Sequence, residues 1–591
     1  MTELPLRSSF RALCASTAER SGPSAEEAFV QLLGGAPDVI LEGGNRRLLI
    51  AHEGAVHRAS DPSGRVTVVY HGELFGMGSD PGQTMAAGFA NQGPSFAKEL
   101  NGSFAILLFD NEAGGAWAIT DRANSRSLFH SRVEGHHLVS TDLTVQPRER
   151  FPLDPAGVAW VLSTGNVYGR RTLYDGIRVL RYGSTHELGG ELRSESYWNY
   201  VIGERAERRS TERLEGNLYG YLVDAVRSRT LDTPEPLISL SVGFDMTAIA
   251  GIMVRELGFK GVHSFSYAHG TPAASSDALL SGRMAGMLQL QHRVIESYEG
   301  DFASHIQENA RAGEGMTNPC DELDVWRTLA VELADRPSPV IVTGEQRFGG
   351  RAFDFRGVED VRRAAGLRRL FLPGALIRSM PDGVADALRE SIDADWERIH
   401  AESPRFDDLT DLHDYLRWDQ RLGCRIMPWR ERFTGRAASV RSPFLDNDVV
   451  DFARNLPPSL RRGKSLFRRT ATSRLPDLYG FPRATGTGST IDIGAELRTH
   501  ASRLRDTVMA GDSRLDAVVP PEALLQTFLL AGGPPHGVRE RHHSSMDRAD
   551  RLTRRVRRRF GLASPSPSRR PAQLLFRRLA ILREALRDDR A

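Results

Sequence analysis

The stretch at residues 235–253, EPLISLSVGFDMTAIAGIM, holds the residues whose types and order could do chemistry. Residues 237–240 are a short apolar run behind Pro234 and Pro236, which reads as a buried strand. Ser241, Val242, Gly243, Phe244 and Asp245 make a tight turn, and from Met246 onward Ile249, Ala250 and Met253 fall at helical spacing. A strand, a small-residue turn and a helix together bring backbone amides and a helix N-terminus onto a phosphate. Asp245, near the helix start, is the residue that would hold a metal ion bridging phosphates. An ordinary strand-to-helix turn has the same pattern, so the rest of the chain has to decide.

Those residues need elements to position them. At 591 residues the chain is long enough for two to four domains. Its 40% hydrophobic and 26% charged residues are ordinary for a globular protein, and a net charge of +2 gives no general affinity for nucleic acid. Cys14, Cys320 and Cys424 are far apart, which argues against a disulfide framework and a CxxC metal site. No apolar run is long enough to span a membrane, and residues 1–21 lack a signal-type apolar stretch, so a cytoplasmic enzyme is expected. The excess of arginine over lysine points to a GC-rich bacterial genome.

Residues 1–205 read mostly as β, with strands at 47–52, 65–70, 103–110, 116–120 and 126–131, and with turn signals between them. This spacing predicts two packed antiparallel sheets. In 206–230, Leu214, Leu218, Tyr221, Leu222, Ala225 and Val226 form one helical stripe. Strands at 262–267, 292–295 and 339–345 alternate with helices such as 277–288, which predicts a parallel sheet with its ligand at the carboxyl edge. Residues 351–420 read as charged amphipathic helices.

With these elements in place, the loop resembles the pyrophosphate loop of the ATP-pyrophosphatase superfamily, Ser-Gly-Gly-x-Asp-Ser. Ser241, Gly243 and Asp245 match, Val242 replaces a glycine, Met246 replaces the serine, and Thr247 follows. The wider chain resembles the asparagine synthetase (glutamine-hydrolysing)-like family. In the N-terminal part the resemblance is carried by residues 69–75 (VYHGELF), 101–110, 120–122 and 175–180. In the second part it is carried by Thr343, Gly344 and Glu345 with Phe348 to Gly350, by Val440 to Asp446 (VRSPFLD), and by Gly463 to Arg469 (GKSLFRR). Ser439 replaces the family's glutamate, the run at 343–350 is shortened by about three residues with its Asp-Glu pair gone, and Trp418, Arg421 and Met427 lie in a poorly kept helix motif.

The resemblance implies an α/β protein in three parts. These are a glutaminase-like antiparallel β-sandwich of Ntn-hydrolase type at 1–205, a parallel-sheet ATP-pyrophosphatase domain with added helices at 206–510, and an Arg-rich helical extension at 511–591. It implies ATP and Mg²⁺ as cofactors. Leu240, Ser241, Val242, Gly243, Phe244, Asp245, Thr247, Thr343 and Gly344 would bind the nucleotide, with Phe265, Ser266 and Tyr267 presenting backbone to adenine. Asp245 and Glu345 would hold the metal, and Lys464 and Arg441 would serve catalysis, Arg441 equally well as a loop brace. Val242 is expected to crowd the phosphate, because a β-branched residue resists torsions that glycine allows.

Glutamine-hydrolysing members use a cysteine directly after the initiator Met, whose α-amino group is the base. Here position 2 is Thr2, and Cys14 is internal. The N-terminal part is therefore expected to be a scaffold, and the nearest relatives to be members without that cysteine, such as lasso-peptide macrolactam synthetases and β-lactam synthetases. Three readings follow: an AMP-forming amide ligase using an amine other than glutamine-derived ammonia, a catalytically degenerate binding protein, and an ammonia-dependent asparagine synthetase. The expected partners are a carboxylate-bearing substrate such as a precursor peptide, and a leader peptidase or peptide-recognition protein, with no membrane or nucleic acid. Residues 551–559 (RLTRRVRRR) read as a solvated arm or a dock for an acidic partner, and Leu574 to Leu586 as a final amphipathic helix.

Overall fold

The computed structural model describes residues 4–5, 7–16, 24–201, 210–233, 235–346, 348–349, 354–486, 491–533 and 570–587. Thr2, Arg347, Gly350 and the arginine run at 551–559 lie outside them.

The N-terminal part is built from two six-stranded antiparallel sheets, as the strand spacing predicts. The first runs Arg178–Val179, Phe129–Val133, His136–Ser140, Ser9–Ser16, Arg46–Glu53, Val39–Gly43 in spatial order. The second runs Leu192–Ser196, Ser184–Leu188, Ala116–Thr120, Gly102–Asp110, Val66–Leu74, Val56–Ser60. Side chains alternate across each strand. Phe10, Ala12 and Cys14 face the second sheet and pack with Val69, Leu107 and Phe109. Leu13 and Ala15 face outward onto Phe29 and Leu32 of the helix Ala25–Leu33. Ile106 and Leu108 likewise face Met85 and Phe89 of the helix Pro81–Gln92. Both faces of each sheet are thus covered, which is why SFAILLFD reads as a continuous apolar run. The strand expected at 126–131 begins at Phe129 instead, because Asp121 gathers the preceding turn. Its carboxylate accepts from the amides of Phe104, Ala123 and Ser125.

The second part holds a five-stranded parallel sheet in the order Gln291–Glu296, His263–Ala268, Leu237–Ser239, Val340–Val342, Ser439–Arg441. Its central strand feeds directly into the loop singled out above. The helix Thr211–Thr230, capped by Ser210, covers it. Leu214, Leu218, Leu222, Ala225 and Val226 are buried as expected. Tyr221 is 37% exposed and Tyr219 takes the buried place, donating from its hydroxyl to Glu256 (2.8 Å). A tyrosine one position from Leu218 keeps its ring on the packed face while its polar tip reaches a carboxylate.

The chain divides into two compact units, the first comprising 1–299, 312–370 and 388–490 and containing the three sheets described above. Residues 300–311, 371–387 and 491–591 form the second. Within it, Leu575, Leu579 and Leu582 of the helix Arg570–Ala585 are buried, and Arg583 donates to the carbonyls of Val508 and Gly511 and to Asp516. Among the described residues no helix is long and apolar enough to cross a membrane.

Candidate active site

The helix Phe244–Gly251 starts at Gly243, which serves as N-cap without any side-chain cap. The first amides of that helix are therefore left for a ligand, and its dipole favours negative charge there. Gly243 has φ −65°, and a side chain built on it would meet only Ser241 Oγ. This glycine leaves open space over the helix N-terminus rather than serving a left-handed turn.

Val242 corrects the expectation of crowding. Its φ is not positive, and its side chain is 1% exposed within the core that includes Leu240, Ile249 and Met284. The valine points into the protein, away from the open side. Its N–H donates to Asp277 Oδ1 (3.1 Å), and its carbonyl accepts from Arg483. Burying such a side chain contributes about 1.5–3 kcal/mol. Val242→Gly should therefore lower the melting midpoint by about 1–3 °C without tightening nucleotide binding. An unchanged midpoint with a tighter Kd for ATP would restore the crowding account.

Lys464 is brought across to the loop. Its Nζ lies 2.9 and 2.8 Å from the two carboxylate oxygens of Asp245. Burial pushes the Asp245 carboxyl up and the Lys464 ammonium down, and their contact opposes both shifts. Lys464 caps the helix Ser465–Arg474 with φ 60°, directly after Gly463 at φ 62°. A non-glycine residue in the left-handed region costs on the order of 1–3 kcal/mol, and such outliers gather at functional sites.

Two arginines that sequence reasoning missed complete this wall. The guanidinium carbon of Arg468 lies 4.7 Å from the centroid of the Phe244 ring, and that of Arg483 lies 4.5 Å from it. Tyr479 packs at 5.0 Å from the same ring and donates to the Phe244 carbonyl (2.7 Å). Burial depresses the basicity of Arg483 and Lys464, and the nearby Arg468 lowers both further, so positive charge is concentrated at the open helix end. Only Arg468 had a sequence signal, as part of the GKSLFRR run.

The neighbouring strand supplies the opposite wall. Thr343 N–H donates to the Arg441 carbonyl (2.9 Å), and its hydroxyl pairs with Ser442 Oγ (2.8 Å). A side chain on Gly344 would come within 3.3 Å of Asp245 Cβ, so this backbone packs against the loop. Glu345 accepts from Arg430 Nε (2.9 Å) and Ser442 Oγ (3.1 Å), and Arg430 helps hold its carboxyl below the usual range although burial opposes this. Burial, and to a lesser extent the charge of Glu345, raise the Asp245 carboxyl. Both carboxylates offer hard oxygen donors that suit Mg²⁺, which commonly takes one or two carboxylates and completes its shell with phosphate oxygens and water. Among the described residues no group of three or more His, Cys, Asp or Glu side chains is gathered for a metal ion.

Other expected site residues sit differently. Thr247 is fully buried with an unpartnered hydroxyl, so it faces the core and not the open helix end. Phe265 accepts at its carbonyl from Leu240 N–H (2.8 Å), while its ring packs on Trp326. Ser266 Oγ contacts His292 Nε2 (3.0 Å), and the Tyr267 hydroxyl reaches Glu322 (3.4 Å). Arg441, expected either at the catalytic centre or as a loop brace, is held in a bracing network. Its guanidinium donates to Glu73 (2.6 Å), Asp232 (2.5 Å), Thr233 Oγ1 and the Arg229 carbonyl, none of which belongs to the loop.

An open helix end, a cationic wall and a pair of carboxylates at the carboxyl edge of a parallel sheet form an arrangement able to hold a metal-bound polyphosphate. Residues 217–547, more than half of the chain, match the asparagine synthase family, and the chain belongs to that family. It is 21% identical to asparagine synthetase [glutamine-hydrolyzing] 3 of Bacillus subtilis, over 74% of this chain and 76% of that protein. It is 24% identical to the amidase chyE of Penicillium rubens, over 46% of this chain and 42% of that protein. It is 20% identical to the amidase chry2 of Gibberella zeae, over 68% of this chain and 72% of that protein.

Proposed function

We propose that this protein is an ATP-dependent, AMP-forming amide ligase that activates a carboxylate and joins it to an amine other than glutamine-derived ammonia. The observation that carries the reading is the contact of Lys464 Nζ with Asp245 at the uncapped end of the loop helix. A carboxylate is a poor electrophile until its oxygen attacks the α-phosphorus of ATP and pyrophosphate leaves. The resulting acyl-adenylate then takes the amine and releases AMP. The amides at residues 244 and 245, with Lys464, Arg468 and Arg483, would stabilise charge that builds on the phosphates and on the acyl oxygen. Mg²⁺ held by Asp245 and Glu345 would neutralise the departing pyrophosphate. With Asp245 engaged in holding the metal, the Lys464 ammonium that now contacts it would be available to the phosphates.

Three features support a nucleophile other than ammonia from glutamine. Cys14 lies buried between the two antiparallel sheets, its thiol pushed up to about 11 by burial. Such a thiol is not a nucleophile. Glu73, in the stretch that resembles the glutaminase motif, is engaged by Arg441, and Asn101 by Arg229 (2.8 Å). The basic composition of residues 551–559 favours a peptide as the carboxylate substrate, with ring closure inside a precursor peptide as the case to test first.

Exchange of labelled pyrophosphate into ATP tests the reading. Exchange should depend on an added carboxylate, and free aspartate should support it less well than a peptide bearing an Asp or Glu side chain. Absence of exchange, with no ATP binding in calorimetry, would favour a non-catalytic binding protein.

A further inference from the structure

The strongest unassigned cluster in the first unit joins its N-terminal sheets to the exit of the edge strand Ser439–Arg441. Phe75 lies 4.4 Å from the Arg229 guanidinium and 5.5 Å from that of Arg441. Arg441 donates to Glu73 through both Nε (3.0 Å) and Nη2 (2.6 Å), and to both oxygens of Asp232. Arg229 donates to Asp446 (2.6 Å) and to Asn101 Oδ1, while Asn101 Nδ2 donates back to Asp446 (2.8 Å). Two guanidiniums, three carboxylates and an amide thus close around one aromatic ring. Both arginines are nearly buried, and a fork donor held at fixed geometry transmits position well.

The cluster leads to the site in one step of backbone. The Arg441 carbonyl accepts the Thr343 amide, and the next residue, Ser442, holds Thr343 Oγ1 and Glu345. We infer that Glu73 and Arg441 are positioning residues through which the N-terminal sheets set the orientation of Thr343 and Glu345 at the nucleotide site. The N-terminal part then contributes to ligation as a fixed support, without catalytic chemistry of its own. Arg441 Nε and Nη2 converge on one oxygen, Glu73 Oε1, and its negative charge strengthens both bonds, so Glu73→Gln keeps an acceptor there and removes the charge assistance. The inference rests on the proposed ligase reading for its nucleotide arm alone.

The experiment uses the full chain, with Glu73→Gln, Arg441→Lys and, as control, Glu191→Gln, which breaks an exposed ion pair with Arg132 inside the N-terminal sheets. Amide hydrogen exchange at residues 343–345 should accelerate in Glu73→Gln and Arg441→Lys and stay at the wild-type rate in Glu191→Gln. The Kd for ATP with Mg²⁺ should rise about tenfold in the first two variants, as loss of a supporting partner does at metal sites. Faster exchange confined to residues 66–75, with 343–345 at the wild-type rate, would overturn the inference. Should Glu73→Gln fold poorly, Arg441→Lys alone decides, since it keeps the charge and loses only the fork. Failure of wild-type protein to bind ATP would count against the ligase reading, and the exchange at 343–345 would still decide the positioning role.

Discussion

Lys464→Ala should slow AMP formation by about 10²–10³, the usual cost of removing one oxyanion-stabilising donor. ATP affinity should fall far less, because the contact is needed mainly when charge builds in the transition state. Lys464→Arg should rescue poorly. The position is left-handed, the side chain reaches Asp245 from the helix cap, and a planar fork does not replace a compact ammonium there. The alanine variant also leaves Asp245 without its cation, so burial pushes that carboxyl further up. Its residual activity should therefore recover as pH rises over a range higher than that at which wild-type Asp245 ionises. The measurement is AMP release against pH for the three proteins with one carboxylate substrate. Wild-type turnover in Lys464→Ala would remove the catalytic assignment.

The sequence showed the loop and the sheet around it because strand, turn and helix are local patterns. Residues 237–253 contain their own periodicity, and the alternating strands and helices after them dictate a parallel sheet. What it concealed was direction and long-range pairing. Val242 reads as an obstacle only while its side chain is assumed to face the phosphate, and nothing in a single β-branched residue says which way it points. The pairing of Lys464 with Asp245 spans 219 residues, and that of Arg441 with Glu73 spans 368. No spacing rule encodes either, although both residues of each pair lie in segments singled out from sequence. Arg483 had no signal because arginine is so common in this chain. Its meaning comes from the Phe244 ring it covers. The same holds for Tyr219 and Tyr221, where the stripe was right and one position within it was not.

Asp245→Asn should abolish the Mg²⁺ dependence of ATP binding, and this outcome separates the metal role of Asp245 from its ion pair. Two effects oppose each other. The carboxylate repels phosphate and holds Lys464, so its loss frees the ammonium and should favour binding of metal-free ATP. The same loss removes a hard oxygen donor, so binding of the metal complex should weaken. Wild-type protein should then bind ATP more tightly with Mg²⁺ than with EDTA. In the variant the affinity with Mg²⁺ should drop by about tenfold or more, corresponding to about 1.4 kcal/mol or more. Its affinity in EDTA should equal or exceed that of the wild type, because one repelling charge within a few ångströms of a phosphate is worth several kcal/mol at the dielectric of a half-buried site. Glu345 alone would supply a single carboxylate, shared with Arg430 and Ser442, so it would hold the metal more weakly than the pair. Calorimetry of both proteins in Mg²⁺ and in EDTA gives the four affinities. Equal loss in both conditions would mean that Asp245 serves the loop only by positioning Lys464, and unchanged affinity in both would move the nucleotide away from this loop.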